Sequence, residues 1–485
     1  MLKEKNNIMF IIVAVLMATF MTSVETTIIT TALPRIVSQL DGLSMQSWVF
    51  ATYLLTTALS TPIYGKLADR IGRKSVFLIG IIIFVVGSFF SGLSNQMIML
   101  IFFRGLQGIG AGAIIPITFT IIADLFPYEK RTTMLALNNT AWGISALLGP
   151  LIGGYIVDQL SWHWVFFINI PLGILVFVII LFNYKEDKQV FVKKSIDYKG
   201  IIALSGLLIT TLLLFQGLGE TNLNKSVIWI MVFLLIGFAV LFVRIEKYAN
   251  DPIIPLALFK NNIFTIQILT ALLLSAIQIG FQTYFPMWLQ AIYKASAAIA
   301  GLTVTPSPVL WLISSFFVGV LMKKWAPKYI SIALILIMVL FYLPLTFIES
   351  TVTQSIFYVI SGITGASLGI IITMNTLISQ RVVDQSLLGT ASAMLTLGRT
   401  LGQTLATGIF GLTFNLTINH QLSNVKVINI SMVNSYISSS YKSEHISLLN
   451  GVILSGLHNV FLSVLIILGV VLILNIMDKN AEPIK

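Results

Sequence analysis

The sequence predicts an all-α membrane protein: two related six-helix bundles with two further helices inserted between them, fourteen transmembrane spans in all. Three observations predict it. The 485-residue chain is 57% hydrophobic and only 10% charged, with mean hydropathy +0.95, whereas a soluble domain is nearer half apolar and a quarter charged. Apolar runs of roughly 20 residues, each long enough to cross about 30 Å of hydrocarbon, recur along the whole chain. Barrel strands would be about ten residues long with alternating polarity, so the runs read as helices. Finally, the second half of the chain repeats the first.

Between charged or Pro/Gly-rich breaks, the spans fall near 9–33, 47–64, 75–94, 97–123, 133–156, 164–184, 200–219, 226–243, 263–286, 298–321, 329–348, 354–378, 387–413 and 450–476. The first run is too long for a signal-peptide core and lacks a small-residue cleavage site, so it counts as a span. An even number of spans places both termini on one side. Loops on that side hold 22 of the 29 Lys and Arg residues and the opposite loops 5, with Arg104 and Arg399 left inside spans. The excess of basic residues puts both termini in the cytoplasm. The net charge of +11 is therefore a topology signal, and no nucleic-acid partner is expected.

The expected divisions are 1–184, a first six-span bundle; 185–262, a charged cytoplasmic linker and two inserted spans; and 263–485, a second bundle with a long external loop at about 415–449. That loop is either a lid or a plain connection. The absence of cysteine excludes disulfides, thiolate metal sites and Cys nucleophiles together, and neither metal nor cofactor is expected.

The repeat is explicit. Shifted by 257 residues, "RGLQGIGAGAIIPIT" (104–118) lies on "SGITGASLGIIITMN" (361–375), with Gly105, Gly108 and Gly112 falling on Gly362, Gly365 and Gly369. A similar shift sets Gly65, after span 2, on Gly319, after span 10. Parallel six-helix repeats point to a transporter with its site near the bilayer midplane, opened alternately to each side.

Three stretches carry chemistry. "GKLADRIGRK" joins spans 2 and 3, with Gly65, Asp69, Arg70, Gly72, Arg73 and Lys74. Glycines suit closely packed helix ends, and Asp69 is placed to accept charged hydrogen bonds from basic residues such as Arg131. Such a cluster latches the cytoplasmic face in one state and releases it in the other; plain topogenic charge is the alternative. "RGLQGIGAG" in span 4 is no nucleotide loop, since no strand precedes it and the glycine spacing is wrong; its glycines suit close helix packing. "GISALLGPLIGGYIVD" (143–158) places Gly149, Pro150, Gly153 and Gly154 on a kinkable surface suited to sealing the outer side between the halves.

These residues carry a resemblance. "GKLADRIGRK" matches, position by position, the loop signature of the major facilitator superfamily, while "GVLMKKWAPK" (319–328) has Lys323 where the family aspartate would be. "RGLQGIGAG" resembles the family's fourth-helix signature, whose arginine is implicated in proton transfer. The 143–158 stretch resembles the signature of drug:proton antiporters, and "SWHWVFFINIPLG" (161–173) and "WVFATYLLTTAL" (48–59) add to the match. With the two inserted spans, the chain is similar to the fourteen-helix drug:proton antiporter family throughout. The resemblance implies the major facilitator fold and export of hydrophobic, often cationic or zwitterionic drugs in exchange for protons. Members carry an aspartate in D-x-T-I-V-x-x-A-L-P; "ETTIITTALP" here has Glu25 in its place.

Glu25 is the one ionisable group between Met9 and Leu33. An ionisable residue at membrane depth is costly and faces a bundle interior. Glu25 lies about eight residues from the outer end of its span, or ~12 Å, and Arg104 about seven residues from the same end of span 4, or ~10 Å. Both therefore occupy one layer, and Thr19, Thr22, Thr26 and Thr30 mark a polar face around Glu25. Burial opposes a carboxylate charge and a nearby arginine favours it. The expectation is that Glu25 carries the driving proton, modulated by Arg104; a static buried ion pair is the alternative.

Candidates for an aromatic and amide drug pocket are Tyr53, Asn138, Trp142, Gln278, Phe281, Gln282 and Asn375, suited to stacking and cation–π contact. Arg399, at the repeat position of Trp142, meets backbone carbonyls and Asn375 or else a substrate carboxylate. His458 reads as a hydrogen-bonded packing residue. There is no Walker A, H-E-x-x-H or G-x-S-x-G motif, so direct ATP drive and membrane-enzyme chemistry are disfavoured. Two transport readings remain: a monomeric multidrug exporter of the bacterial inner or plasma membrane, and an exporter of one endogenous metabolite, lipid or peptide.

Overall fold

A computed structural model describes residues 2–126, 128–186, 197–219, 225–249, 252–254, 256–349, 353–383, 388–424, 427–437 and 445–478. The helices of the first half are α1 (Leu2–Gln39), α2 (Gln46–Ile71), α3 (Arg73–Gly92), α4 (Met97–Leu125), α5 (Tyr128–Gln159), α6 (Trp164–Phe167) and α7 (Asn169–Asn183). Then come α8 (Tyr198–Gly219) and α9 (Lys225–Tyr248), which pair with each other; α8 leans on α2 and α16. The second half holds α10 (Asn262–Ala291), α11 (Ala297–Leu302), α12 (Pro306–Ser315), α13 (Val318–Lys324), α14 (Pro327–Tyr342), α15 (Ser355–Arg381), α16 (Leu388–Asn424), α17 (Ile430–Ile437) and α18 (Ile446–Ile476).

Among the described residues, twelve segments are long and apolar enough to cross a membrane. They coincide with twelve of the fourteen expected spans. The other two, near 47–64 and 387–413, fall on α2 and α16, long helices rich in threonine. Two expected spans are broken. Pro171 has no N–H for the carbonyl of Phe167, and the helix divides there into α6 and α7. The run expected at 298–321 divides into α11, α12 and α13, with Pro306 opening α12.

The glycines of α4 act by close approach. Beside Gly108 lies the carbonyl of Tyr53 and beside Gly112 that of Thr57, while Gly110 meets α3 at Gly80 and Phe84. The repeat reproduces this joint. Gly365 meets the carbonyl of Ser307 and Gly369 that of Trp311. The hydroxyls match as well: Ser60 donates to Ile109 O (3.4 Å) and Ser314 to Ala366 O (3.0 Å). The 257-residue shift on α4 and the 254-residue shift on α2 thus meet in one repeated helix contact.

The hydrogen bonds described between the two halves all lie at one end of the molecule. Gln290 Nε2 donates to Thr31 O (3.3 Å) and Asn415 Nδ2 to Ser44 O (2.9 Å). The Asp158 carboxylate accepts from Ala297 N and Ala298 N (3.1 and 3.0 Å), capping α11 from the opposite half. At this end the polar stretch expected as a loop from 415 departs from expectation. Helix α16 continues to Asn424, with Asn415 and Asn419 satisfied by backbone carbonyls of Ser44 and Gly219. Helix α17 follows and straps the seam. Asn434 donates to Asp41 of the first half, while Tyr436 OH donates to Asn450 (2.8 Å) in the second. Lys294 Nζ donates to Tyr436 O (2.8 Å) and lies 3.1 Å from the centre of its ring.

Two outcomes are expected. Gly110→Val forces α3 and α4 apart and should cost at least about 2 kcal/mol. Gly65→Ala, inside α2 with nothing within 4 Å of its Cβ, should instead stabilise by about 0.5–1 kcal/mol; thermal unfolding of purified protein measures both. Burial pushes the Lys294 ammonium down from 10.5 to about 8. The unfolded chain binds that proton more tightly, so stability rises as pH climbs from about 8 toward 10.5. The gain should stay below about 1 kcal/mol because the group is half exposed, and it should vanish in Lys294→Met.

Candidate proton and substrate site

The α1 carboxylate and the α4 guanidinium meet. Both Glu25 and Arg104 are 0% exposed, and Arg104 Nη1 lies 2.5 Å from Glu25 Oε2. Equal depth from one end of two helices sets them in one layer, and α1 packs directly on α4 there. The guanidinium is held on several sides. Nη1 also donates to Gln107 Oε1 (2.6 Å), Nε donates to Val49 O (3.2 Å), and Cζ sits 4.4 Å above the Tyr53 ring. Tyr53 OH donates to Thr22 O (3.0 Å), tying α2 to the turn of α1 that precedes Glu25.

The other carboxylate oxygen is met by α7. Asn169 Nδ2 donates to Glu25 Oε1 and also to Ser88 Oγ (3.0 Å) and Phe166 O (3.3 Å). Gln107 Nε2 donates to Ser88 Oγ (3.1 Å), which in turn donates to Phe166 O (2.8 Å). Five polar side chains from α1, α3, α4 and α7 thus form one buried network. Two of its atoms, Arg104 Nη2 and Asn169 Oδ1, are buried without a partner among the described residues. Asn169 and Ser88 are the members that sequence reasoning missed. Asn169 stood inside the quoted "SWHWVFFINIPLG", and the signal that marks it is an amide in an oily run one residue past a proline-dictated helix break.

The threonine face of α1 is less available than its spacing suggests. Thr22, Thr26 and Thr30 bond carbonyls of their own helix, whereas Thr19 donates to Asn138 Oδ1 (2.7 Å). Ser23 bonds Ser145 and so links α1 to α5.

Of the expected pocket residues, only Tyr53 joins the ion pair. Asn138 is taken by Thr19, and Trp142 is 39% exposed. Gln278, Phe281 and Gln282 are buried on α10, with Phe281 edge-on to Phe285 (5.8 Å). Asn375 donates to Gln267 O (3.3 Å). Arg399 lies with Cζ 5.6 Å from the Trp311 ring, and its buried Nε has no partner among the described residues. His458 bonds Ile348 O (2.9 Å) and packs against Trp288.

The gating candidates divide between surfaces. Gly149 and Gly153 face Thr27, Ile28 and Thr31 of α1. Gly154 faces Ala297 and Ala298, and the Pro150 carbonyl faces Gly301, across the seam between halves. At the other end, Gly72 takes φ +93, a conformation natural to glycine. Arg73 pairs with Asp124, and the Glu186 carboxylate accepts from Arg73 N and Lys74 N (2.7 and 3.2 Å) at the start of α3. Gly65 makes no close approach. The side chains of Asp69, Arg70 and Arg131, and most of the linker, lie outside the described residues.

Comparison with known proteins adds to this picture. The family model for the Major Facilitator Superfamily matches residues 15–407. Multidrug resistance protein 3 of Bacillus subtilis (strain 168) is 34% identical over 425 residues, covering 86% of this chain and 82% of that protein. Multidrug transporter protein MdtP of the same organism is 33% identical, covering 85% and 76%. Multidrug efflux pump SdrM of Staphylococcus aureus (strain N315) is 27% identical, covering 87% and 95%. Among solved structures, a bacterial homolog of the human lysosomal transporter Spinster, inward-facing and unoccupied, superposes with a TM-score of 0.70 at 16% identity over 97% and 96% of the chains.

Arg104→Ala leaves Glu25 buried without its counter-ion, which should cost about 3–5 kcal/mol. Replacing both residues by glutamine should cost less than the sum of the single changes, as a double-mutant cycle on thermal unfolding would read.

Proposed function

The chain belongs to the Major Facilitator Superfamily, and from that premise we propose that it is a proton-coupled antiporter exporting hydrophobic, often cationic or zwitterionic drugs by alternating access. The observation that carries this reading is the fully buried Glu25–Arg104 pair. A carboxylate at membrane depth is expensive and serves function by default. Similarity to named multidrug efflux proteins supports drug transport as the task.

In this reading α2 and α16 complete fourteen spans, and the two six-helix bundles rock about a site between them. The chain lies in a bacterial inner or plasma membrane with both termini in the cytoplasm, as the basic loops argue. The end stitched by Asp158 and α17 is then external, and Gly149, Pro150, Gly153 and Gly154 serve its closure. Gly65, Asp69, Arg70, Gly72, Arg73 and Arg131 serve the cytoplasmic latch.

Glu25 binds a proton from outside and releases it inward, and a cationic drug competes for the same charge. Arg104 sets how firmly the carboxylate holds its proton. Tyr53, Asn138, Trp142, Gln278, Phe281, Gln282, Asn375 and Arg399 face or border the drug path, with Arg399 suited to a substrate carboxylate. An inward-moving proton supplies ~2.3 kcal/mol per 100 mV and ~1.4 kcal/mol per pH unit of gradient.

Efflux of a structurally diverse dye and drug panel should collapse on adding a protonophore. Glu25→Gln should abolish proton-driven efflux from proteoliposomes. Full coupled transport by that variant would refute the carrier role, and resistance to a single compound class would refute multidrug breadth.

A further inference from the structure

We propose that Asn169 is a positioning residue that turns its amide end over end, so that one side chain holds Glu25 in both protonation states. The inference rests on the reading of Glu25 as the proton carrier and adds a second moving part to it. An ionised carboxylate only accepts hydrogen bonds, and Asn169 meets it with the donor end, Nδ2 on Oε1. A protonated carboxyl instead presents an O–H, and a buried donor without an acceptor is costly.

The surroundings offer that proton few acceptors. Arg104 has none. Gln107 Oε1 already accepts from Arg104 (2.6 Å), and Ser88 Oγ already accepts from Gln107 and Asn169 (3.1 and 3.0 Å). Asn169 Oδ1, by contrast, is buried with no partner among the described residues. A half-turn about the Cβ–Cγ bond exchanges Oδ1 and Nδ2 without changing the volume of the side chain. Oδ1 then accepts the Glu25 O–H, while the Ser88 hydroxyl keeps its bond to Phe166 O (2.8 Å).

The proton count is simple. One proton arrives on Glu25 Oε1 and none leaves, because a guanidinium stays charged. The site changes from a neutral pair to a net positive one, and the amide turn takes Nδ2 off Ser88 Oγ and Phe166 O as it brings Oδ1 to the carboxyl. The break before Pro171 makes this possible by setting Asn169 at the first turn of α7, where its side chain reaches the α1 carboxylate rather than its own helix interior.

The test uses the full chain in lipid, with infrared difference spectra recorded across a pH titration. A protonated-carboxyl band that disappears in Glu25→Gln identifies the carrier. With 13C-labelled asparagine, a side-chain amide band should move in the same titration, and Asn169→Leu should remove that movement. In Asn169→Leu the carboxyl band should rise in wavenumber and the titration midpoint should shift by about one pH unit or more, the scale of a hydrogen bond to a charged group. Asn169→Thr, whose hydroxyl both donates and accepts, should restore the midpoint to within about half a unit. If no asparagine band moves in the unsubstituted protein, the switch is refuted whatever the variants do. A carboxyl band that survives in Glu25→Gln refutes the carrier reading itself, and with it this one.

Discussion

The contact between Glu25 and Arg104 is the constraint around which the first half is built. Two charges withdrawn from water in an oily bundle lose far more hydration than a lone contact returns. Their cost is offset by the surrounding hydrogen bonds, which leave Arg104 Nη2 and Asn169 Oδ1 without a partner among the described residues. That cost explains otherwise unrelated details: the Val49 carbonyl turned to Nε, the Tyr53 ring under the guanidinium, and the amides of Gln107 and Asn169 joined through Ser88. The close approach at the α4 glycines also brings α2 near enough for the Val49 carbonyl and the Tyr53 ring to reach the arginine.

Much of this was legible in the sequence because it depends on distance along a helix. Counting rise from a common end placed Glu25 and Arg104 in one layer, and the shift of 257 residues located the repeated joint. What sequence counting does not give is azimuth. Trp142 and Asn138 share a helix with Gly149, Gly153 and Gly154, yet Asn138 is spent on Thr19 and Trp142 stays partly exposed. The threonines of α1 have ideal spacing for a polar face, but three of them satisfy their own helix. Asn169 was invisible for a related reason. Its importance comes from a helix break that redirects it, and a proline signals the break without saying what the freed turn will face. Helix α17 and the extension of α16 lie in polar sequence that carries little apolar period, so their order rests on tertiary partners such as Asp41, Lys294 and Ser44.

The halves share joinery but not chemistry. Ser60 and Ser314 make the same inter-helix bond, and Gly108 and Gly365 the same close approach. Yet the layer that holds an ion pair in the first half has no matching carboxylate in α10, where Gln278 and Gln282 stand. One frame is thus used twice, once around a titratable group and once around neutral amides. Such a division confines the buried carboxylate of that layer to the first half.

The seam between the halves has a further property. Three of its stitches join a side chain on one half to main-chain atoms on the other: Gln290 to Thr31 O, Asn415 to Ser44 O, and Asp158 to Ala297 N and Ala298 N. Main-chain groups are the same whatever residue bears them. The receiving surfaces can therefore drift in sequence without undoing the closure, while each donor or acceptor side chain is a single point of failure. Tolerance to substitution should accordingly be lopsided within each stitch: Asp158, Gln290 and Asn415 are held to their side chains, whereas Thr31, Ser44, Ala297 and Ala298 enter these bonds through the main chain alone.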